Sequence, residues 1–275
     1  MTPDGFGVGC QKKEVIVVTR AATRLLVKPE ATLSLLLELQ GISAYHSTPK
    51  ETGRALNNVS LYMNRGEIVS LLGGKTSGKS VLLKVILGQV RPLAGEVLLD
   101  GRSITLLSPE EILRRGISAV PHVQEIYPNL TIEENLGLGA YIRRGRAAVR
   151  DDMQRVFAVF PRLADRRYQR AGTLHGGELQ MLTFARALIS RPRLICMEEP
   201  TKNLAPQFVE QVLDKIVEMN ALGVTIFMVE QNAELALSIA TRAYVLQGDT
   251  LALQGTTNDL LNNPVNHQVY LGQTA

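Results

Sequence analysis

Residues 73–80 read GGKTSGKS, and the fold turns on this stretch. It satisfies the pattern G-x-x-x-x-G-K-[ST], with Gly73 leading and Gly78, Lys79 and Ser80 closing it. The run before it, GEIVSLL, reads as a compact apolar strand, and SGKSVLLKVILG reads as a helix. A strand feeding this loop and a helix leaving it raise the pattern to a structural expectation. Backbone N–H groups of the loop and helix N-terminus would cradle phosphates. Lys79 would reach the β- and γ-phosphates, and the Ser80 hydroxyl would join a Mg²⁺ shell. The bland alternative is a glycine-rich turn carrying an incidental lysine, and the flanking elements argue against it.

Working outward, LLLELQGIS and NNVSLYM read as strands before the loop, and GEVLLDG as a short strand after it. SPEEILRRG carries a serine cap, early acids, late arginines and a closing glycine, which predicts a helix. From about Thr131 to Ser190 the pattern is mostly helical. Then come RLICM (strand), PQFVEQVLDKIVEMNALG (helix), VTIFMVE (strand), NAELALSIAT (helix) and RAYVLQGDTLAL (hairpin-like strands). Strands alternating with helices predict a parallel sheet in an α/β core.

Two further stretches bear on chemistry. LICMEEP (194–200) ends an apolar strand on Glu198 and Glu199, at the edge where a parallel sheet presents its ligand crevice. One carboxylate could orient Mg²⁺ through water and the next could position an attacking water. TLHGGELQMLTFARAL (173–188) places Leu182, Ala185 and Leu188/Ile189 on one helical face, with Glu178 early and Arg186 late. Two glycines precede this helix, so its N-terminus is a second anion site. Two phosphate-binding helix ends in one chain suggest a nucleotide shared between two subunits.

Composition narrows the classes. The 275 residues are 45% hydrophobic and 20% charged, enough to bury a full core. No apolar run approaches the roughly 18–20 residues that span a bilayer, and MTPDGFGVGCQKKEV lacks the order of a secretory signal. A cytoplasmic protein is expected, meeting a membrane only through a partner. Two cysteines, Cys10 and Cys196, and four histidines, His46, His122, His175 and His267, show no metal-ligand spacing, which argues against a zinc site or a disulfide framework. The net charge of +4 comes without tryptophan or a basic run interleaved with stacking rings, so no nucleic-acid partner is expected. The arginines at 143, 144, 146 and 150 read as a solvated helical face.

From Leu35 onward the chain resembles the ATP-binding subunits of ABC transporters. Residues 73–80 look like their Walker A motif, LICMEE like Walker B with its following glutamate, and LHGGE like their LSGGE signature. PNLTIEENLGLGAYIRR (128–144), VFPRLADRR (159–167), EPTKNLAPQFVEQ (199–211), VEQNAELALSIATRAYVLQG (229–248) and VYLG (269–272) are similar to the smaller of the two ATPase types of branched-chain amino-acid importers. Urea and short-amide importers carry similar subunits and are the alternative solutes.

The resemblance implies a P-loop NTPase of ABC type over 34–275. It would have a mostly parallel core sheet, an antiparallel β subdomain and a helical subdomain at about 122–180 that docks on the permease. It implies ATP with Mg²⁺, and a second ABC ATPase subunit closing over two ATP molecules. Two transmembrane permease subunits and, indirectly, an extracytoplasmic solute-binding protein complete the machine, with this subunit peripheral on the inner face of the cell membrane. Nucleotide contacts would come from Tyr45 or His46, stacking on adenine, and from Gly73, Gly74, Lys75, Thr76, Ser77, Gly78, Lys79, Ser80 and Val81. Leu174, His175, Gly176, Gly177 and Glu178 would face the partner's ATP. Glu199 and Gln231 would be catalytic, and Ser80, His122 and Glu198 would serve the metal.

The chain departs from that pattern at several positions. Thr76 stands where glycine is usual, and is strained if φ there must be positive. Glu198 replaces aspartate, His122 replaces Gln or Glu, TKNLAP replaces SLGLAP, and His175 replaces the signature serine. These changes touch both sides of the shared site, so the competing expectation is a cassette that binds nucleotide but turns over slowly, acting in regulation or docking. Residues 1–33 are atypical and are expected to form a disordered extension.

Overall fold

The computed structural model describes residues 34–45, 53–123 and 125–262. The extension 1–33, His46 and the VYLG ending lie outside them. The chain begins with two long strands, β1 (Leu35–Tyr45) and β2 (Arg54–Asn64), and then β3 (Ile68–Gly73), which runs into the phosphate loop and α1 (Lys79–Ile86). Next come β4 (Ala94–Leu99), β5 (Arg102–Ser103), α2 (Pro109–Arg114) and β6 (Ile117–Val120). A helical stretch follows, with α3 (Ile132–Gly139), α4 (Arg146–Val159), α5 (Pro161–Asp165) and α6 (Gly177–Leu188). The chain returns through β7 (Leu194–Glu198), α7 (Pro206–Ala221), β8 (Thr225–Val229), α8 (Ala233–Ile239), β9 (Arg242–Gln247), β10 (Thr250–Thr256) and α9 (Thr257–Asn262).

Ten strands form two sheets among the described residues. The smaller is antiparallel, in the order β2-β1-β4-β5. The larger runs β10-β9-β3-β8-β7-β6 and is parallel except for its edge strand β10. Its inner strands are covered on both faces, which explains why they read as unbroken apolar runs. Along β3, Val69 and Leu71 join the core shared with α1 and the antiparallel sheet, while Ile68 and Leu72 join the core under α6, α7 and α8. Strand β8 divides the same way, with Phe227 and Val229 on one side and Ile226 and Met228 on the other.

The cap of α2 matches its sequence signature. Ser108 Oγ accepts from Glu111 N while Glu111 Oε2 accepts from Ser108 N at 2.8 Å, a reciprocal capping box. Thr131 and Glu134 repeat the device at α3. The expected single apolar face of α6 is a partial description. Leu182, Ala185 and Ile189 are buried as expected, but so are Gln180, Thr183, Phe184 and Ala187, because α6 runs through the interior against α3, α7 and β6. Gly139 of α3 meets α6 so closely that a Cβ there would lie 2.5 Å from the Arg186 carbonyl oxygen. Strand β6 is four residues long and merges with the apolar run after α2; its parallel pairing with β7 reveals it.

Candidate functional site

Loop 73–78 links β3 to α1 at the C-terminal edge of the parallel strands, and two of its glycines are sterically required. Gly73 has φ 149°, and a Cβ there would sit 2.5 Å from the Leu246 carbonyl oxygen. Gly78 has φ 74°, and a Cβ would sit 2.1 Å from the Ala55 carbonyl oxygen on β2. Gly74, Lys75 and Thr76 form the exposed crest. Thr76 is not among the described non-glycine residues with positive φ, which are Asn58, Asp100, Arg191, Glu199 and Asn203, so the conditional strain on its β-branch does not arise. Buried Ser77 donates its hydroxyl to the Gly74 carbonyl at 2.8 Å and braces the turn.

Lys79 is 4% exposed and donates to the carbonyl oxygens of Gly73, at 2.7 Å, and Gly74. Burial pushes its ammonium below the ordinary lysine range, with Glu199 opposing and Lys202 adding to the shift. A desolvated cation amid loop amides is suited to a multiply charged phosphate. Ser80 is exposed at the first turn of α1, with Val81 buried behind it. Tyr45 ends β1 and is 52% exposed, so it is accessible for stacking.

Glu198 ends β7 and Glu199 follows it, both half-buried. Glu199 takes φ 45°, a costly conformation for a residue other than glycine, and its N–H donates to Val229 O on the adjacent strand at 2.8 Å. Its side chain collects three partners. Gln231 Nε2 donates to Oε1, Lys202 Nζ pairs with Oε2, and His122 Nδ1 lies 3.5 Å from Oε2. Loops after β6, β7 and β8 thereby converge on one carboxylate, and His122, which the resemblance assigned to the metal, lies beside Glu199 together with Gln231.

Lys202 and Glu230 are the members that sequence reasoning missed. Glu230 is 4% exposed; it accepts from Thr201 Oγ1 at 2.8 Å and Thr201 N at 3.2 Å, locking the turn after Glu199 to the loop carrying Gln231. Burial pushes its carboxyl upward, only partly offset by the hydrogen bonds from Thr201 and Gln231. Lys202 was visible only as a departure from SLGLAP. Glu230 sits inside VEQNA with no pattern to mark it as buried.

Leu174, His175 and Gly176 lead into α6, which Gly177 and Glu178 open. Leu174 is buried, His175 is exposed, and Glu178 pairs with Arg166 at 2.7 Å. Gly176, at φ 51° and ψ −119°, has the conformation that a type II′ turn reserves for glycine. Gly177 is a glycine for another reason: a Cβ would meet Phe208 Cδ1 at 2.8 Å and Cγ at 2.9 Å.

A family model described as ABC transporter matches residues 56–202. The chain belongs to the ABC transporter family. It is 38% identical over 237 residues to the high-affinity branched-chain amino acid transport ATP-binding protein BraG of Pseudomonas aeruginosa, spanning 86% of this chain and 100% of that one. It is 37% identical over 218 residues to the probable branched-chain amino acid transport ATP-binding protein LivF of Archaeoglobus fulgidus, covering 79% and 92%. Among solved structures, a nucleotide-free ATP-binding cassette from an ABC transporter superposes with a TM-score of 0.73 at 24% identity, over 87% of this chain and all of that one. A cassette in a dimeric post-hydrolysis state bound to ADP and Pi gives 0.70 at 25% identity, over 81% and 99%. The chain is thus an ABC ATPase, with the α/β cassette fold the sequence predicted. No helix among the described residues is long and apolar enough to cross a membrane.

Proposed function

We propose that this ABC ATPase couples ATP hydrolysis to import of branched-chain amino acids. Full-length similarity to BraG carries the choice of solute. A second ATPase subunit, two membrane permease subunits and an extracytoplasmic solute-binding protein are the proposed partners, and the permeases hold the subunit at the inner face of the cell membrane. A groove of about 340 Å³ between α2, the segment after β6, α3 and α6, lined by Pro121, Leu138, Tyr141 and Arg186, supports permease docking there. Tyr141 is 60% exposed and Leu138 40%, apolar surface that a partner would cover.

In the proposed chemistry, loop amides and Lys79 hold the β- and γ-phosphates while Tyr45 stacks on adenine. Ser80 and Glu198 are oxygen donors that fit Mg²⁺. His122 offers nitrogen, a poorer match for so hard a cation, and it faces Glu199. When bound, Mg²⁺ would neutralise charge on the phosphates. Glu199 orients the attacking water, and Gln231 fixes the carboxylate. The loop 174–178 faces the ATP held by the partner subunit.

One observation favours slow turnover: both oxygens of Glu199 are already engaged. Deleting the gene should abolish uptake of labelled leucine. Replacement of Glu199 by Gln should then lower the complex's ATPase rate by roughly 10²-fold or more, the scale of a positioned acid–base group. Normal leucine uptake in the deletion strain would refute the proposed solute.

A further inference from the structure

Lys202 stands on the exposed turn after β7, and its ammonium pairs with the carboxylate read above as orienting the attacking water. The turn itself is fixed. Lys202 N donates to Glu199 O at 3.1 Å, Thr201 is held by buried Glu230, and Glu199 and Asn203 take φ of 45° and 59°. The lysine side chain, by contrast, is 39% exposed. Of the three groups around Glu199, Gln231 is neutral and His122 Nδ1, at 3.5 Å, is beyond a good hydrogen bond, so Lys202 supplies the permanent counter-charge.

Lys202 also belongs electrostatically to the phosphate loop. Lys79 senses it as a repelling charge and Glu199 as an attracting one. A triphosphate carries one more anionic group than a diphosphate, so a lysine that feels the charge on Lys79 would tell the two apart by charge. An anion of higher charge competes with a carboxylate for a lysine, and the loser's lone pair is released.

We propose that Lys202 is a γ-phosphate-sensing latch: it pairs with Glu199 until ATP is bound, then moves to the γ-phosphate and frees the carboxylate to orient water. The inference rests on the assignment of Glu199, but its first test does not. ATP and ADP affinities, each measured with Mg²⁺ by displacement of a fluorescent ADP analogue, give an ATP-over-ADP ratio. K202M should lower that ratio on the order of tenfold, the scale of one charge-assisted hydrogen bond, with ADP affinity changed less than twofold. K202R should retain most of it. E199Q should strengthen ATP binding in the Lys202 chain more than in the K202M chain, because only there does it release a competitor.

A ratio within twofold of wild type in K202M, or an equal gain from E199Q in both backgrounds, overturns the latch. Should K202M lose its fold, K202Q carries the same comparison. Single-turnover hydrolysis by E199Q at the wild-type rate would instead remove Glu199 from its proposed role and leave the affinity ratio to judge Lys202.

Discussion

Replacing Gly177 with alanine tests whether the second glycine of the α6 lead-in serves packing rather than backbone freedom. The new methyl would lie 2.8 Å from Phe208 Cδ1, 2.9 Å from Cγ and 3.1 Å from Cβ. Carbon atoms prefer about 3.5–4.0 Å, so all three contacts are about 0.5–1 Å too short. Two of these atoms lie at the root of the side chain, so a ring flip does not relieve them; α7 or the lead-in must shift. Overpacking of this kind costs about 1–3 kcal/mol. Helix propensity returns up to about 1 kcal/mol, less at a first helical residue. A net loss of about 1–2 kcal/mol follows, a fall in Tm of roughly 2–8 °C for a chain this size.

The assay is a double-mutant cycle by urea denaturation, with Phe208→Ala as the second change. In that background the clash partner is gone, and Gly177→Ala should be neutral or mildly stabilising. Gly176→Ala is the control. Its Cβ would come no closer than 3.7 Å to Phe208, but its φ of 51° disfavours any side chain, so Phe208→Ala should not rescue it. A Gly177–Phe208 coupling below about 0.5 kcal/mol, or equal rescue of both glycines, would refute the steric account.

Two further outcomes are expected. Burial holds the Glu230 carboxyl above its ordinary range, so the folded chain keeps this proton longer than the unfolded chain. Stability is therefore lost as pH rises from the ordinary carboxylate range through the raised folded value. Glu230→Gln removes that loss, and its Tm relative to wild type should climb as pH rises above the ordinary carboxylate range; a pH-independent difference would contradict this. Asn135 is fully buried, accepts from Tyr127 N at 2.9 Å and donates to the Tyr127 and Thr131 carbonyls at 3.0 and 2.9 Å. Asn135→Ala strands those groups and should cost roughly 2–4 kcal/mol by urea denaturation, whereas a loss under about 1 kcal/mol would mean that water replaces the amide.

Much of this protein was legible in one dimension. GGKTSGKS located the phosphate loop because its chemistry is made by consecutive backbone amides and a lysine one residue after a glycine. The serine cap at 108 was equally local, as was the strand-then-acid run ending in Glu198 and Glu199. Apolar runs such as VTIFMVE announced strands covered on both faces. What the sequence could not express was distance across the fold. Only tertiary structure brings Gln231 and His122 onto the Glu199 carboxylate, since they arrive on separate loops that parallel strands align at one edge. Only it buries Glu230 behind Thr201, or presses Phe208 against Gly177, thirty-one positions away along the chain. Local motifs fix where charge and phosphate can meet, because their geometry is carried by adjacent residues; which groups then restrain the chemistry depends on packing between segments that sequence spacing does not encode.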